Sequence, residues 1–230
     1  MYGLSKKQTI IPLLGMTLIG LRPSLAIPVF LFLAINQRWR ILSLSIAVYF
    51  LVLLLSSWQL DVKPIELVKQ LGDIQRHFSD NLNYYHAEGL LLSLKPFIGT
   101  NLTIVSTIVT GLVLVYYRKH LSNPLVSILL ITACSVSLFY TQVHAWISIY
   151  PILLIALSSD ANSKNDKIAI AILIGFLIIP RLSGQIPEEY RYHYIVVHNL
   201  VRFGALWYCV IHLVNQLIST SGRGEKVHRA

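Results

Sequence analysis

The sequence predicts an all-α, polytopic helical membrane protein, and three observations predict it. Hydrophobic residues make up 55% of the 230 and charged residues 13%, roughly half the charged share of a soluble domain. The apolar residues lie in continuous blocks, several of them close to the roughly 20 residues that a bilayer-crossing helix needs. They do not alternate apolar with polar, as the strands of a membrane β-barrel do. The net charge is +9 and the mean hydropathy +0.63. In such a chain a basic excess belongs to cytosolic loops and to anionic lipid, not to nucleic acid. Residues 1–230 read as a single transmembrane domain, with neither an internal repeat nor a low-complexity tract.

The first apolar stretch, Ile10 to Ile35, is broken by Arg22-Pro23-Ser24. Each half is too short to cross alone. The proline cannot donate an N–H, and it disfavours helix at Arg22. Two half-helices meeting at an arginine-bearing turn, entering and returning on one side, is one reading. A single kinked span is the other.

Asn36-Gln37-Arg38-Trp39-Arg40 follows, basic and interfacial, and then a clean span from Ile41 to Trp58. Residues 59–99 read as an external loop. Within it, Val62 to Phe78 places Ile65, Leu67, Val68, Leu71 and Ile74 near helical spacing, which predicts an amphipathic helix on the membrane surface. Asn81 to Gly89 reads as a turn or loop before a short apolar run, Leu90 to Ile98. Further spans are predicted at Leu102–Tyr117, Leu125–Tyr140, Val143–Leu157, Ile168–Ile179 and Tyr194–Leu217. Polar loops at Ser158–Lys167 and Arg181–His193 separate the last three, and residues 218–230 form a basic tail. After the broken element this gives six single crossings. Arg38/Arg40, Arg118/Lys119, Lys164/Lys167 and the tail then share one side, the cytosol, with a cytosolic C-terminus. Cys134 and Cys209 fall inside apolar blocks without metal-ligand spacing and read as buried thiols; no metal set is predicted.

Several residues are candidates for chemistry. Arg22 carries a planar fork of donors that stays charged when desolvated and suits a lipid phosphate. A structural arginine satisfied by a carboxylate or by carbonyls freed near Pro23 is the alternative. His144 stands at the outer end of a span, able to orient a phosphate or move a proton, or to be an ordinary interfacial histidine. The stretch Asp80 to Glu88, with Asn81 and Asn83, is dense in acids, amides and aromatics that suit sugar hydroxyls. Asp80 or Glu88 is a candidate general base there, against the plainer reading of a polar loop. Glu188, Glu189 and His193 make a weaker outward cluster. His198 and Arg202 stand four apart on one face of the last helix, continued by Cys209 and His212. A charged face within a span is expected to look into the bundle, to bind a headgroup or to tie helices together.

Gly15-Met16-Thr17-Leu18-Ile19-Gly20-Leu21-Arg22-Pro23, an apolar run, and then Gln37-Arg38-Trp39-Arg40 resemble the "G-x-x-x-G … K-P … apolar … R-R-W-R" pattern of glycosyltransferase family 87. These are integral-membrane enzymes of the GT-C type. Asn81 to Leu94, with Glu88-Gly89-Leu90-Leu91-Leu92, looks like that family's "N-x-S-x-x-G-L-L" segment. Tyr140-Thr141-Gln142-Val143-His144-Ala145-Trp146 looks like its polar turn before a span. Arg22 stands where lysine is common, and the serine of the amide segment is missing.

The resemblance covers residues 10 to about 157. It implies hexosyl or mannosyl transfer, with inversion, from a polyprenyl-phosphate sugar to a lipid or glycan acceptor on the external face. It implies Arg22 and His144 near the donor phosphate. It also implies an acid in a first external loop, but no carboxylate precedes Asp61. The chain is therefore expected to correspond to the C-terminal half of such an enzyme. It would be truncated, completed by a second membrane subunit, or inactive. A non-catalytic lipid-phosphate-binding or assembly subunit of an envelope pathway, and a small transporter, are the rival functions. The expected location is the plasma membrane, in a bacterium the inner membrane.

Overall fold

The computed structural model describes residues 23–80, 87–88, 102–139, 141–142, 149, 152–153, 164–178 and 186–227. Among them are seven helices, α1 Pro23–Ile35, α2 Trp39–Gln59, α3 Pro64–Asp80, α4 Leu102–Tyr116, α5 Pro124–Leu138, α6 Lys164–Ile178 and α7 Glu188–Val227. Two strands of two residues each, β1 Ala87–Glu88 and β2 Thr141–Gln142, form an antiparallel ladder. The first half of the broken element, the run Leu90–Ile98 and most of the predicted span Val143–Leu157 lie outside the described residues.

α5 is the central post. Eleven of its fifteen residues are buried, and α1, α4 and α7 all pack on it. Its start is set locally. Asn123 caps it, with Oδ1 accepting from the Leu125 N–H at 3.0 Å, and Pro124 takes the first helical position, where no N–H is needed. Ser127, Ala133, Ser135 and Ser137 are small and buried, which lets neighbouring backbones approach. The serine hydroxyls are satisfied internally: Ser135 donates to the Ile131 carbonyl and Ser137 to that of Ala133.

The two ends of α5 can be placed against its neighbours. At its C-terminal end Cys134, Leu138 and Phe139 form a small cluster with Ile27 of α1, Val105 and Val109 of α4, and Trp207 of α7. Ser106 donates to the Leu138 carbonyl. So α4 runs antiparallel to α5, and α1 starts at the same end as α4. The α1–α2 turn and the Arg118–His120 turn are therefore at the opposite end.

α1 and α2 end in the same way. Arg38 N–H bonds the Leu33 carbonyl at 2.9 Å and Gln37 N–H that of Ala34 at 3.0 Å, closing α1 with Gln37 at φ 56. Val62 N–H bonds the Ser57 carbonyl and Asp61 N–H that of Trp58, closing α2 with Asp61 at φ 52. Both are six-residue helix stops whose left-handed residue is not glycine. The Ser57 hydroxyl also donates to the Val62 carbonyl, pinning the corner into α3. Among the residues of α2 only Ile41, Ser45 and Ser57 are buried. Trp39 and Trp58 are 60% and 83% exposed.

Two helices are long and apolar enough to cross a membrane, α2 and residues Glu188–Ser219 of α7. α1, α4 and α5 are shorter apolar helices. An expected loop and the expected tail are corrected. Glu188, Glu189, Arg191 and His193 lie on α7, not in a loop: the helix begins at Pro187, whose carbonyl accepts from Tyr190 and Arg191. Two glutamates in a first turn suit the positive end of the helix dipole. At the other end α7 runs to Val227, so most of the expected tail 218–230 is helical. α3 occupies Pro64–Asp80, where the amphipathic pattern places it.

Candidate functional site at one end of the bundle

The end of the bundle that holds the start of α1 also holds the β1–β2 ladder. Ala87 pairs with Gln142 and Glu88 with Thr141, and β2 follows three residues after α5 stops. Three segments that the sequence singles out separately thus converge. Their described parts are Pro23, which opens α1, the strand Ala87–Glu88 and the strand Thr141–Gln142. Arg22, Asn81, Asn83 and His144 themselves lie outside the described residues. Asp80 closes α3 and Glu88 lies in β1.

α7 packs against this end through Trp207. The Trp207 indole N–H donates to Ser137 Oγ at 3.0 Å, which fixes the level of α7 against the end of α5. Arg202 lies five residues before Trp207, about 7.5 Å along the axis. It is 3% exposed, on a face that also buries Asn199 and Phe203. His198, one turn before Arg202, is half-buried and its ring lies 5.6 Å from that of Tyr194. The Arg202 face therefore turns into the bundle, where a guanidinium keeps its charge and offers several donors. Asn199 was not singled out from sequence; its spacing of three from Arg202 is the signal that would have found it.

A second polar group lies further along α7. Asp166 in the first turn of α6 is buried, and its Oδ2 lies 3.4 Å from His212 Nε2. The same nitrogen is 2.8 Å from Gln216 Nε2, and the Tyr208 ring stacks on the imidazole at 6.3 Å. Asp166 falls within the loop expected at Ser158–Lys167. It is instead the first acid of a helix that packs along α7, and its position one turn before an apolar run is the signal that could have shown it. Ten residues separate His212 from Arg202, about 15 Å of helix, so the two polar groups are distinct.

No group of three or more His, Cys, Asp or Glu side chains suited to a metal occurs among the described residues. Cys134 and Cys209 are free and buried. In comparisons with family models, curated proteins and solved structures, nothing matches this chain.

Proposed function

We propose that this chain is a polytopic membrane protein that holds a polyprenyl-phosphate-linked sugar at the α1-start end of its bundle and acts in hexosyl or mannosyl transfer to a lipid or glycan acceptor. The observation that carries this reading is the convergence just described. The start of α1, the Glu88 segment and the segment before His144 share one end, and the resemblance implies Arg22, just before α1, and His144, just after β2, near the donor phosphate. The buried face of Arg202 and Asn199, within about two turns of the Trp207 contact along α7, adds a cation and an amide of a kind that suits a phosphate.

Membrane insertion is supported by α2. Trp39 and Trp58 stand nineteen residues apart on one helix, about 28 Å. That matches a hydrocarbon core of about 30 Å bounded by aromatic belts. Nearly the whole surface between them is apolar and open, as a lipid-facing span requires. Exposed Ile65 and Val68 on α3, just past Trp58, suit a helix lying in the interface.

In this reading Arg22, Arg202 and His144 would neutralise the phosphate that departs as the glycosidic bond forms, which is stabilisation of developing charge. Asp80 or Glu88 would take the proton of the acceptor hydroxyl. The test is transfer of radiolabelled hexose from polyprenyl-phosphate hexose in proteoliposomes. Loss of transfer in Glu88→Gln or Asp80→Asn, with donor binding retained, supports the assignment. Transfer unchanged in both removes these carboxylates from the chemistry.

One observation favours the second reading, a non-catalytic lipid-phosphate-binding subunit. Asp166 is a buried carboxylate whose Oδ2 lies 3.4 Å from His212, about 15 Å along α7 from Arg202. Donor binding without transfer, even with a partner subunit supplied, would select that reading.

A further inference from the structure

The opposite end of the bundle carries a different surface. Arg38 and Arg40 flank exposed Trp39 in the α1–α2 turn, and Arg118 and Lys119 follow exposed Tyr116 in the α4–α5 turn. All four cations are exposed. α1 and α4 start together at the Ile27–Val105 end and have thirteen and fifteen residues, so their turns emerge side by side. Neither Ile35 to Ser43 nor Val113 to Ser127 contains an Asp or Glu. Among the described residues no ion pair engages any of the four cations.

We propose that this end is a binding surface for the anionic headgroups of one membrane leaflet, a collar of two aromatic residues and four cations. The inference rests on the membrane reading above. The geometry fits a leaflet better than a soluble anion. Trp39 marks one hydrocarbon boundary of α2, with Trp58 at the other, and each guanidinium next to it can reach outward from that boundary into the phosphate layer. Tyr116, 81% exposed, repeats the arrangement on α4, two residues before Arg118. The charges act together because the surface potential of an anionic leaflet is felt within about a Debye length, near 8 Å at physiological salt.

The experiment uses the full chain purified in detergent and in nanodiscs of phosphatidylcholine or of phosphatidylglycerol with the same acyl chains. The expected result is a Tm several degrees higher in phosphatidylglycerol. The difference should vanish in the R38Q/R40Q/R118Q/K119Q variant and shrink for the parent in about 1 M salt, where the Debye length is near 3 Å. Should the fourfold variant fold poorly, R38Q/R40Q and R118Q/K119Q taken separately should each lose part of the difference. Equal Tm in the two lipids, or a lipid preference unchanged in every variant, overturns the proposal while leaving membrane insertion intact. Failure to enter nanodiscs of either lipid overturns the membrane reading as well.

Discussion

Trp207 of α7 hydrogen-bonds Ser137 at the end of α5, seventy residues away in sequence, at 3.0 Å. Ser137 also donates to the Ala133 carbonyl, so its hydroxyl is both donor and acceptor. Replacing Trp207 by Phe keeps most of the ring in the Cys134–Leu138–Phe139 cluster and removes only the donor. The expected cost is about 1 kcal/mol, read as a lowered Tm in detergent, while Trp207→Ala should cost about 3 kcal/mol or more. Equal effects of the two would mean that the bond, and not the packing, holds α7 at this level.

That bond bears on the crossing count. Five residues after Trp207, His212 meets Asp166 at the start of α6. Ser137 and Asp166 therefore sit about 7.5 Å apart along α7. A full crossing between them would separate them by about 30 Å along the membrane normal. Both α5 and α6 lie against α7, each roughly 8–10 Å from its axis. Spin labels at positions 141 and 167 are expected within roughly 25 Å of each other. A separation well beyond 30 Å would restore a complete crossing between α5 and α6.

Helix stops at Gln37 and Asp61 hold non-glycine residues at φ 56 and 52. Left-handed backbone costs such residues roughly 1 kcal/mol that glycine does not bear. Gln37→Gly and Asp61→Gly should each stabilise the protein, by about 0.5–1 kcal/mol in thermal unfolding. A destabilisation at either position would show that the side chain has a partner worth more than the strain.

Asp166 and His212 tie α6 to α7. Removing His212 leaves the buried carboxylate without that neighbour, so His212→Ala should destabilise by about 1–3 kcal/mol, the lower part of the range for buried pairs because the imidazole is partly exposed. Asp166→Asn/His212→Ala should cost less than the sum of the single changes, with a coupling of about 1 kcal/mol. Strict additivity in unfolding measurements would mean that the contact contributes nothing.

The parts of the fold legible in the sequence are those set by local pattern. The apolar run Ile41–Trp58 gives α2, the spacing of Ile65, Leu67 and Val68 gives α3, and the apolar run from Leu125 gives α5. Hydropathy missed the start of α7, because a helical turn carrying Glu188 and Glu189 reads as loop when only apolar length is scored. It also puts Asp166 in a loop; the apolar run one turn later marks the helix, but nothing local tells that a helix forty-odd residues later will cover the acid. The candidate site was legible only in pieces. Glu88 and Thr141 are more than fifty residues apart, and only their ladder puts the two segments at one end with the start of α1.

The central claim is that this end, and not the Arg38–Arg118 end, receives a lipid-linked phosphate. Photocrosslinking with a polyprenyl-phosphate analogue, its reactive group on the isoprene nearest the phosphate, tests it in nanodiscs. The account predicts labelled peptides from the start of α1, from the segments around β1 or β2 and from the Arg202 turn of α7, all competed by unmodified polyprenyl phosphate. Labelling confined to Gln37–Ile41 and Arg118–Leu121, or labelling that the competitor leaves unchanged, would contradict it.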